Sequence, residues 1–269
     1  MSELAYLEES AFQTRSMTMF AVNNLPDFTP GMALGAEIIN ALTAQGESLQ
    51  RGDILVIAHK AVSKCEGAMY DLDDVTPTDE AMTLAREVNK DPRKVEVILR
   101  QSSRILRHIK RPNQDEGIII AEHKLGFICA NAAVDESNAD RPGRLITLPD
   151  DPDNSAQQLC TELEDYYHTE LGLVISDTFG RPWRMGQTNV AIGVANVPTI
   201  KTLFGENDAW GRPLKVTAPA FADELAAASG LLMDKDAKCP VMIFRGLDWT
   251  RQHSHISQII RPKQEDLFR

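Results

Sequence analysis

Nothing in the 269 residues runs apolar for the roughly eighteen positions a membrane span needs, which excludes a transmembrane helix. Cysteine is scarce. Cys65, Cys129, Cys160 and Cys239 stand far apart with no CxxC pair, which argues against a structural zinc site or a disulfide framework and for a reducing compartment. The opening "MSELAYLEESAFQTRSMTMFAV" has no uninterrupted apolar run and carries Glu3, Glu8, Glu9 and Arg15, so it does not read as a signal peptide and a cytoplasmic setting is expected. Positive charge is also short: 28 Lys and Arg against 39 Asp and Glu leave a net charge of −11, which argues against broad nucleic-acid binding. A single polyanion such as a nucleotide can still be held where metal ions and a few basic side chains reverse the local potential. The phosphate loop GxxxxGK[ST] and a convincing GxGxxG are both missing, as are GxSxG and any Cys/His nucleophile pair, and the histidines are too scattered for a metal trio.

What is present is a mixture of strands and helices without strict βαβ alternation or internal repeats, which predicts an α+β or irregular mixed α/β fold. Residues 1–269 read as one domain, with a seam between two lobes near 149–154. Apolar runs predict strands at Ile54–Ala58, in "GIIIAE", in "GFICANAAV", in "LGLVIS" and in "PVMIFRG". The second and third of these, joined by His123-Lys124-Leu125, read as a hairpin. "DPRKVEVILRQSSRIL" predicts a helix capped by Asp91 with Pro92 in its first turn and Val95, Ile98, Leu99, Ser102 and Ile105 on one face. "PDNSAQQLCTELEDYYHTELG" predicts another, with Ser155 and Gln158 at capping-box spacing. "APAFADELAAASGLLM" predicts an alanine-rich helix, and "GENDAWGRPLKVT" a loop.

Three apolar runs end abruptly in polar clusters: "AHKAVSK", "AVDESN" and "SDTFGRPWR". Strand ends are where mixed α/β chains collect ligands, although any one of the three alone is a plain polar exit from a core. Asp135 and Asp177, with Thr178, are candidate ligands for a hard cation, which takes carboxylate oxygens and completes its shell with water and phosphate. The bland alternatives are a helix cap for Asp135 and an ion pair with Arg181 or Arg184 for Asp177. Lys60, Ser63 and Lys64 are candidate phosphate contacts, and Arg181, Arg184 and Arg212 could clamp carboxylates or phosphates.

In this order, "RGDILVIAHKAVSKCEG", "DPRKVEVIL", "GFICANAAVDESN", "LPDDPDNSA", "VISDTFGRPWRMGQTNVAIGVA", "GRPLKVTAPAFADELAAASGLLM" and "PVMIFRG" resemble the coenzyme F420-0:L-glutamate ligase family from about residue 25 to 246. The resemblance implies that family's fold, an intertwined homodimer and a GTP-dependent reaction with Mg²⁺ or Mn²⁺, K⁺ being a further cation. That reaction joins L-glutamate to an acceptor carboxylate through an acyl phosphate. It carries catalytic and metal-ligand roles onto Asp135 and Asp177, and a metal contact onto Thr178. Nucleotide contact falls on His59, Lys60, Lys64 and Asn138, on Leu25, Pro26, Asp27 and Phe28, and on the segment Met233, Asp234, Lys235, Asp236. That last segment departs from the family's usual Met-Gly-Glu or Met-Gly-Gln, since Lys235 cannot ligate Mg²⁺ and Asp234 or Asp236 would have to replace it. "LPDFTPG" also departs from the usual glycine-and-acid pattern. Coenzyme F420-0 is the expected acceptor; folate, or a catalytically silent nucleotide-binding homologue, is the alternative. The residues after Gly246 match no pattern.

Overall fold

A computed structural model describes residues 16–233 and 238–266. In chain order the elements are β1 (Thr18–Ala21), α1 (Leu34–Gln45), β2 (Ile54–Ala58), α2 (His59–Glu66), β3 (Met69–Asp71), α3 (Asp79–Val88), α4 (Pro92–Gln101), β4 (Ser102–Ile109), β5 (Ile118–His123), β6 (Ile128–Ala130), β7 (Arg144–Ile146), α5 (Pro152–Tyr167), β8 (Gly172–Arg181), β9 (Arg184–Ala195), α6 (Phe221–Ser229) and β10 (Val241–Arg245). The mixed α/β expectation holds. No helix among the described residues is long and apolar enough to cross a membrane.

A five-stranded sheet, ordered β1-β10-β2-β8-β9, forms the larger body. Only β2 and β8 run parallel in it. Ile54, Leu55, Val56 and Ile57 are all fully buried, as are Leu173, Val174 and Ile175 beside them, so both faces of these strands are covered. That is why they read as continuous apolar runs rather than alternating ones. Helices α5 and α6 pack on β8 and β9, and α1 leans on α5. A second core, built around Leu84, Val88, Val95, Ile98, Ile119, Ala132 and Leu145, joins α3 and α4 to the three-stranded sheet β4-β5-β6. Phe127, between β5 and β6, reaches back into the larger core, which the chain rejoins for good at Leu148.

Three expectations are corrected. The helix from Asp91 ends at Gln101, and Ser102 and Ile105 lie in β4, paired with His123 and Ala121 of β5. Cross-strand pairing there overrides the helical spacing of the apolar residues. Helix α5 is capped by Asp151, whose Oδ1 accepts the Asn154 N–H at 3.0 Å, with Pro152 in the first turn. Ser155 therefore lies inside the helix and donates to the Asp151 carbonyl at 3.0 Å, so it forms no capping box. Finally, the strand expected to close at Ser176 continues to Arg181, because β9 goes on pairing with it after burial has ended. Asp91 does cap α4, accepting the Arg93 N–H at 2.8 Å, and His123-Lys124-Leu125 does open the turn from β5 to β6.

Candidate functional site

The C-terminal end of β2 lies beside the middle of β8, Ala58 opposite Ser176, where the buried half of β8 stops. Two polar clusters far apart in sequence, Ala58-His59-Lys60 and Ser176-Asp177-Thr178, are thereby brought together. Helix α2 starts at once on leaving β2, with no side chain capping its first turn. Its leading N–H groups are donors in need of acceptors, and they carry the positive end of the helix dipole. On the other side, β8 and β9 slip register between Ile175 and Ser176: Ile175 faces Gly193 while Ser176 faces Ala191, leaving Ile192 as the extra residue. Such a bulge bends β9 and interrupts its pairing beside Ser176. Ser176, Asp177 and Thr178 all line the same cleft.

That cleft has a volume of about 550 Å³ and lies between the two lobes. Of the sequence candidates, Pro26, Asp27, Phe28, His59, Lys60 and Lys64 line it from the larger body, with Asp177, Thr178 and Met233. Asp135 and Asn138 line it from the second lobe. Leu25 is in the larger core, beneath the loop rather than on the cleft wall. Arg181 and Arg184 are exposed on the outer part of the β8–β9 hairpin, and Arg212 is exposed on the 205–214 loop; none lines the cleft. Asp234, Lys235 and Asp236 lie outside the described residues. Gln187 and Asn189, which the sequence reading missed, also line the cleft. Their signal was there: two polar residues two apart, just before the apolar run of a strand.

Asp177 is held from behind. Its Oδ1 accepts the Thr178 N–H at 2.6 Å and lies 3.3 Å from Nε2 of His59, an imidazole that is only 2 % exposed. That approach is off the ring N–H direction, so it is an electrostatic contact and not an in-line hydrogen bond. The other ring nitrogen of His59 sits 3.2 Å from Ser63 Oγ. Neither Arg181 nor Arg184 pairs with Asp177; Arg181 reaches the Met185 carbonyl instead. The Thr178 hydroxyl donates to Asn189 Oδ1 at 2.8 Å, which leaves its oxygen lone pairs for a cation.

Asp135 follows a costly piece of backbone. Asn131, Ala132 and Ala133 have φ values of 53°, 50° and 56°, three successive residues in the left-handed region. Asparagine tolerates this region, but each alanine costs roughly 1–2 kcal/mol there, and strain of this kind collects where a side chain must be aimed. Ala132 is fully buried in the second core, which fixes the turn. No helix follows, so Asp135 is not a helix cap; it bridges to Ile146. Its Oδ2 lies 2.5 Å from Lys60 Nζ and accepts the Ser137 hydroxyl at 2.6 Å, while Oδ1 accepts the Ser137 N–H at 2.9 Å. Burial alone would push this carboxyl up. The Lys60 ammonium and the two Ser137 donors outweigh it and hold Asp135 well below the usual carboxylate range.

The donors fit a hard cation that shares its shell with phosphate: two carboxylates and a hydroxyl oxygen around one cleft, with an ammonium already resting on Asp135. A site made wholly of protein ligands is not found, since no three His, Cys, Asp or Glu side chains among the described residues cluster closely enough to hold a metal. The cysteines are all free, and burial pushes Cys129 and Cys160 up to about 12, which leaves them protonated and poor nucleophiles.

His123, near Asp177, is 3 % exposed, and burial, with Lys124, lowers its pKa from 6.5 to about 4. Between those values the unfolded chain takes up a proton that the native state refuses, so acidification through this window destabilises the fold. The expected loss from this group between pH 6.5 and 4 is about 2–3 kcal/mol. His123→Asn keeps an acceptor for the Leu125 N–H, which His123 Nδ1 now accepts at 3.0 Å. Urea unfolding at both ends of the window should show a shallower pH dependence in the variant. Equal slopes would remove His123 from the acid response.

Residues 23–246 match the family described as F420-0:Gamma-glutamyl ligase. The Coenzyme F420:L-glutamate ligase of Methanothermobacter thermautotrophicus is 41 % identical over 256 residues, which is 94 % of this chain and 99 % of the relative. That of Methanopyrus kandleri is 44 % identical over 233 residues, 85 % of this chain and 90 % of the relative. The Methanocaldococcus jannaschii protein of the same name is 41 % identical over 238 residues, 87 % of this chain and 92 % of the relative. With the matched region running from the loop before α1 to the end of β10, the chain belongs to the F420-0:gamma-glutamyl ligase family.

Proposed function

We propose that this chain joins L-glutamate, as an amide, to a carboxylate of coenzyme F420-0 or a close analogue, with GTP converted to GDP and phosphate. The observation that carries the reading is the meeting of Asp135, Asp177 and the N-terminus of α2 in one cleft, within a chain whose relatives carry that activity in their names. The triphosphate would lie against the leading N–H groups of α2, with Lys64 and Asn138 beside it. The loop Pro26–Phe28 and Met233 would take the nucleoside end. Bound Mg²⁺ or Mn²⁺, on Asp135, Asp177 and Thr178, would supply the positive charge that lets one anion approach another. An acceptor carboxylate oxygen attacks the γ-phosphorus and GDP leaves with the bridging oxygen. The glutamate amine then attacks the acyl carbon to form the C–N bond, the C–O bond breaks with its electron pair and oxygen leaving on phosphate, and the nitrogen releases a proton to water. The protein's part is alignment and water exclusion, and no covalent enzyme nucleophile is required.

A homodimer in the cytoplasm completes the reading. The homodimer is supported by an unusual exposure of large apolar side chains at the tip of the β8–β9 hairpin and in the segment 205–216: Met185 at 96 %, Trp210 and Val216 at 85 %, and Trp183 at 80 %. The deciding experiment is mass spectrometry after incubation with coenzyme F420-0, L-glutamate, GTP and Mn²⁺. The expected product is the acceptor carrying one or more added glutamyl residues, formed only when GTP is consumed. GTP that stays intact under those conditions, or an acceptor whose mass does not change, would refute the assignment.

A further inference from the structure

Lys60 is the second residue of α2 and belongs to the larger body, while Asp135 and Ser137 belong to the second lobe. Its ammonium lies 2.5 Å from Asp135 Oδ2, 2.6 Å from Ser137 Oγ and 3.0 Å from the Ser137 carbonyl oxygen. An ammonium has three N–H donors, and these three acceptors engage all of them. The side chain is one-fifth exposed. Lys60 is thus a cation already seated on a carboxylate that the ligase reading gives to a metal. A divalent ion on the same oxygen would face a positive charge at close range in a partly buried site, where screening is weak. Lys64, one helical turn further along α2 and also on the cleft wall, marks where an anion would draw both lysines.

We propose that Lys60 is the resident counter-ion of Asp135, displaced onto phosphate as the nucleotide enters, so that metal and nucleotide load the cleft as a thermodynamically coupled pair. The proposal rests on the ligase reading for the identity of both ligands. Coupling of this kind is reciprocal: whatever factor the nucleotide adds to metal affinity, the metal adds to nucleotide affinity. Releasing the Lys60–Asp135 pair also removes one of the polar contacts between the second lobe and the larger body as the cleft fills.

The test is Mn²⁺ binding by calorimetry to the full chain, alone and with GDP, corrected for Mn²⁺ bound to free GDP. Lys60→Gln should bind Mn²⁺ alone about tenfold more tightly than wild type, within the usual range of such couplings. GDP should then strengthen Mn²⁺ binding less in the variant than in wild type, by a similar factor. Ser137→Ala keeps both charges, removes one of the ammonium's acceptors and also the hydroxyl donated to Asp135 Oδ2, and should move Mn²⁺ affinity the same way by a smaller factor. It also serves if Lys60→Gln does not fold. Equal or weaker Mn²⁺ binding in folded Lys60→Gln would overturn the proposal, make the pair a plain latch, and leave the ligase reading standing. No Mn²⁺ binding to wild type or variants, with or without GDP, would overturn both.

Discussion

Asp177→Asn is expected to lower ligation by at least about 10³-fold while leaving the fold unchanged. Asp177 stands where the buried half of β8 stops, and no cationic side chain among the described residues neutralises its carboxylate at hydrogen-bond geometry. Asparagine retains an oxygen at Oδ1 for the Thr178 N–H and occupies nearly the same volume, so packing at the strand end survives. What it removes is the negative charge needed to seat a cation opposite the phosphates. Electrostatic losses of about 4 kcal/mol are ordinary for such a group and correspond to three decades of rate. Product formation by mass spectrometry gives the rate, and thermal unfolding gives the control, with the midpoint expected to move by less than about 3 °C. Turnover within tenfold of wild type would remove Asp177 from the mechanism. A collapse of the midpoint would turn its role into a structural one.

How much of this could be read from the chain depends on what each signal measures. Apolar runs report burial, and they located β2, the inner half of β8 and β10 because those strands are covered on both faces. They could not locate the outer half of β8, which is held by pairing with β9 after burial stops. They placed Ser102 and Ile105 on a helix because their spacing fits one; the pairing of Ser102 with His123 and of Ile105 with Ala121 is information that local periodicity does not contain. Strand ends carrying polar clusters pointed to Asp135 and Asp177, since the chemistry sits where apolar sequence stops. The geometry that joins them was hidden: a parallel pairing of β2 with β8, a bulge at Ile192, and three left-handed residues of which two are alanine. Nothing in "ANAAVDESN" announces φ values that only burial of Ala132 can enforce.

The segment after Gly246, silent as a pattern, is similarly contact-defined. Trp249 Nε1 donates to the Gly52 carbonyl at 2.8 Å, Arg251 pairs with Glu164, and the Ile256 N–H is accepted by Asp153 at 3.0 Å. It straps the larger body through single anchors that are far apart in sequence. Motif spacing has no means of recording anchors of this kind. The arginines of the hairpin show the opposite error. Their sequence neighbourhood, beside Asp177, suggested that they share its cleft, whereas a continuing strand carries them beyond it and into solvent.

Gly193→Ala should be the most damaging single methyl added to the chain. A Cβ built on Gly193 would meet the Pro152 carbonyl oxygen at 2.5 Å, its carbon at 2.6 Å and its Cβ at 2.7 Å. Two of those three atoms are backbone at the first turn of α5, so no rotamer change relieves the contact. The helix start would have to move. It is pinned by the Asp151 cap and by Asp153, whose Oδ1 accepts the Val194 N–H at 2.8 Å and whose Oδ2 accepts the Ile256 N–H. Overpacking in a fixed core costs about 3 kcal/mol or somewhat more, which for a chain of this size lowers the thermal midpoint by roughly 6–12 °C. Gly193 also borders the bulge in β9, directly across from the Ser176–Thr178 segment that lines the cleft, so the displaced strand should lose ligation more steeply than its stability alone predicts at a temperature where it remains folded. Calorimetric unfolding beside a turnover measurement well below the midpoint separates the two effects. A midpoint within about 2 °C of wild type would mean that α5 shifts freely on the sheet, and the bulge would then not be the element that sets the geometry of the site.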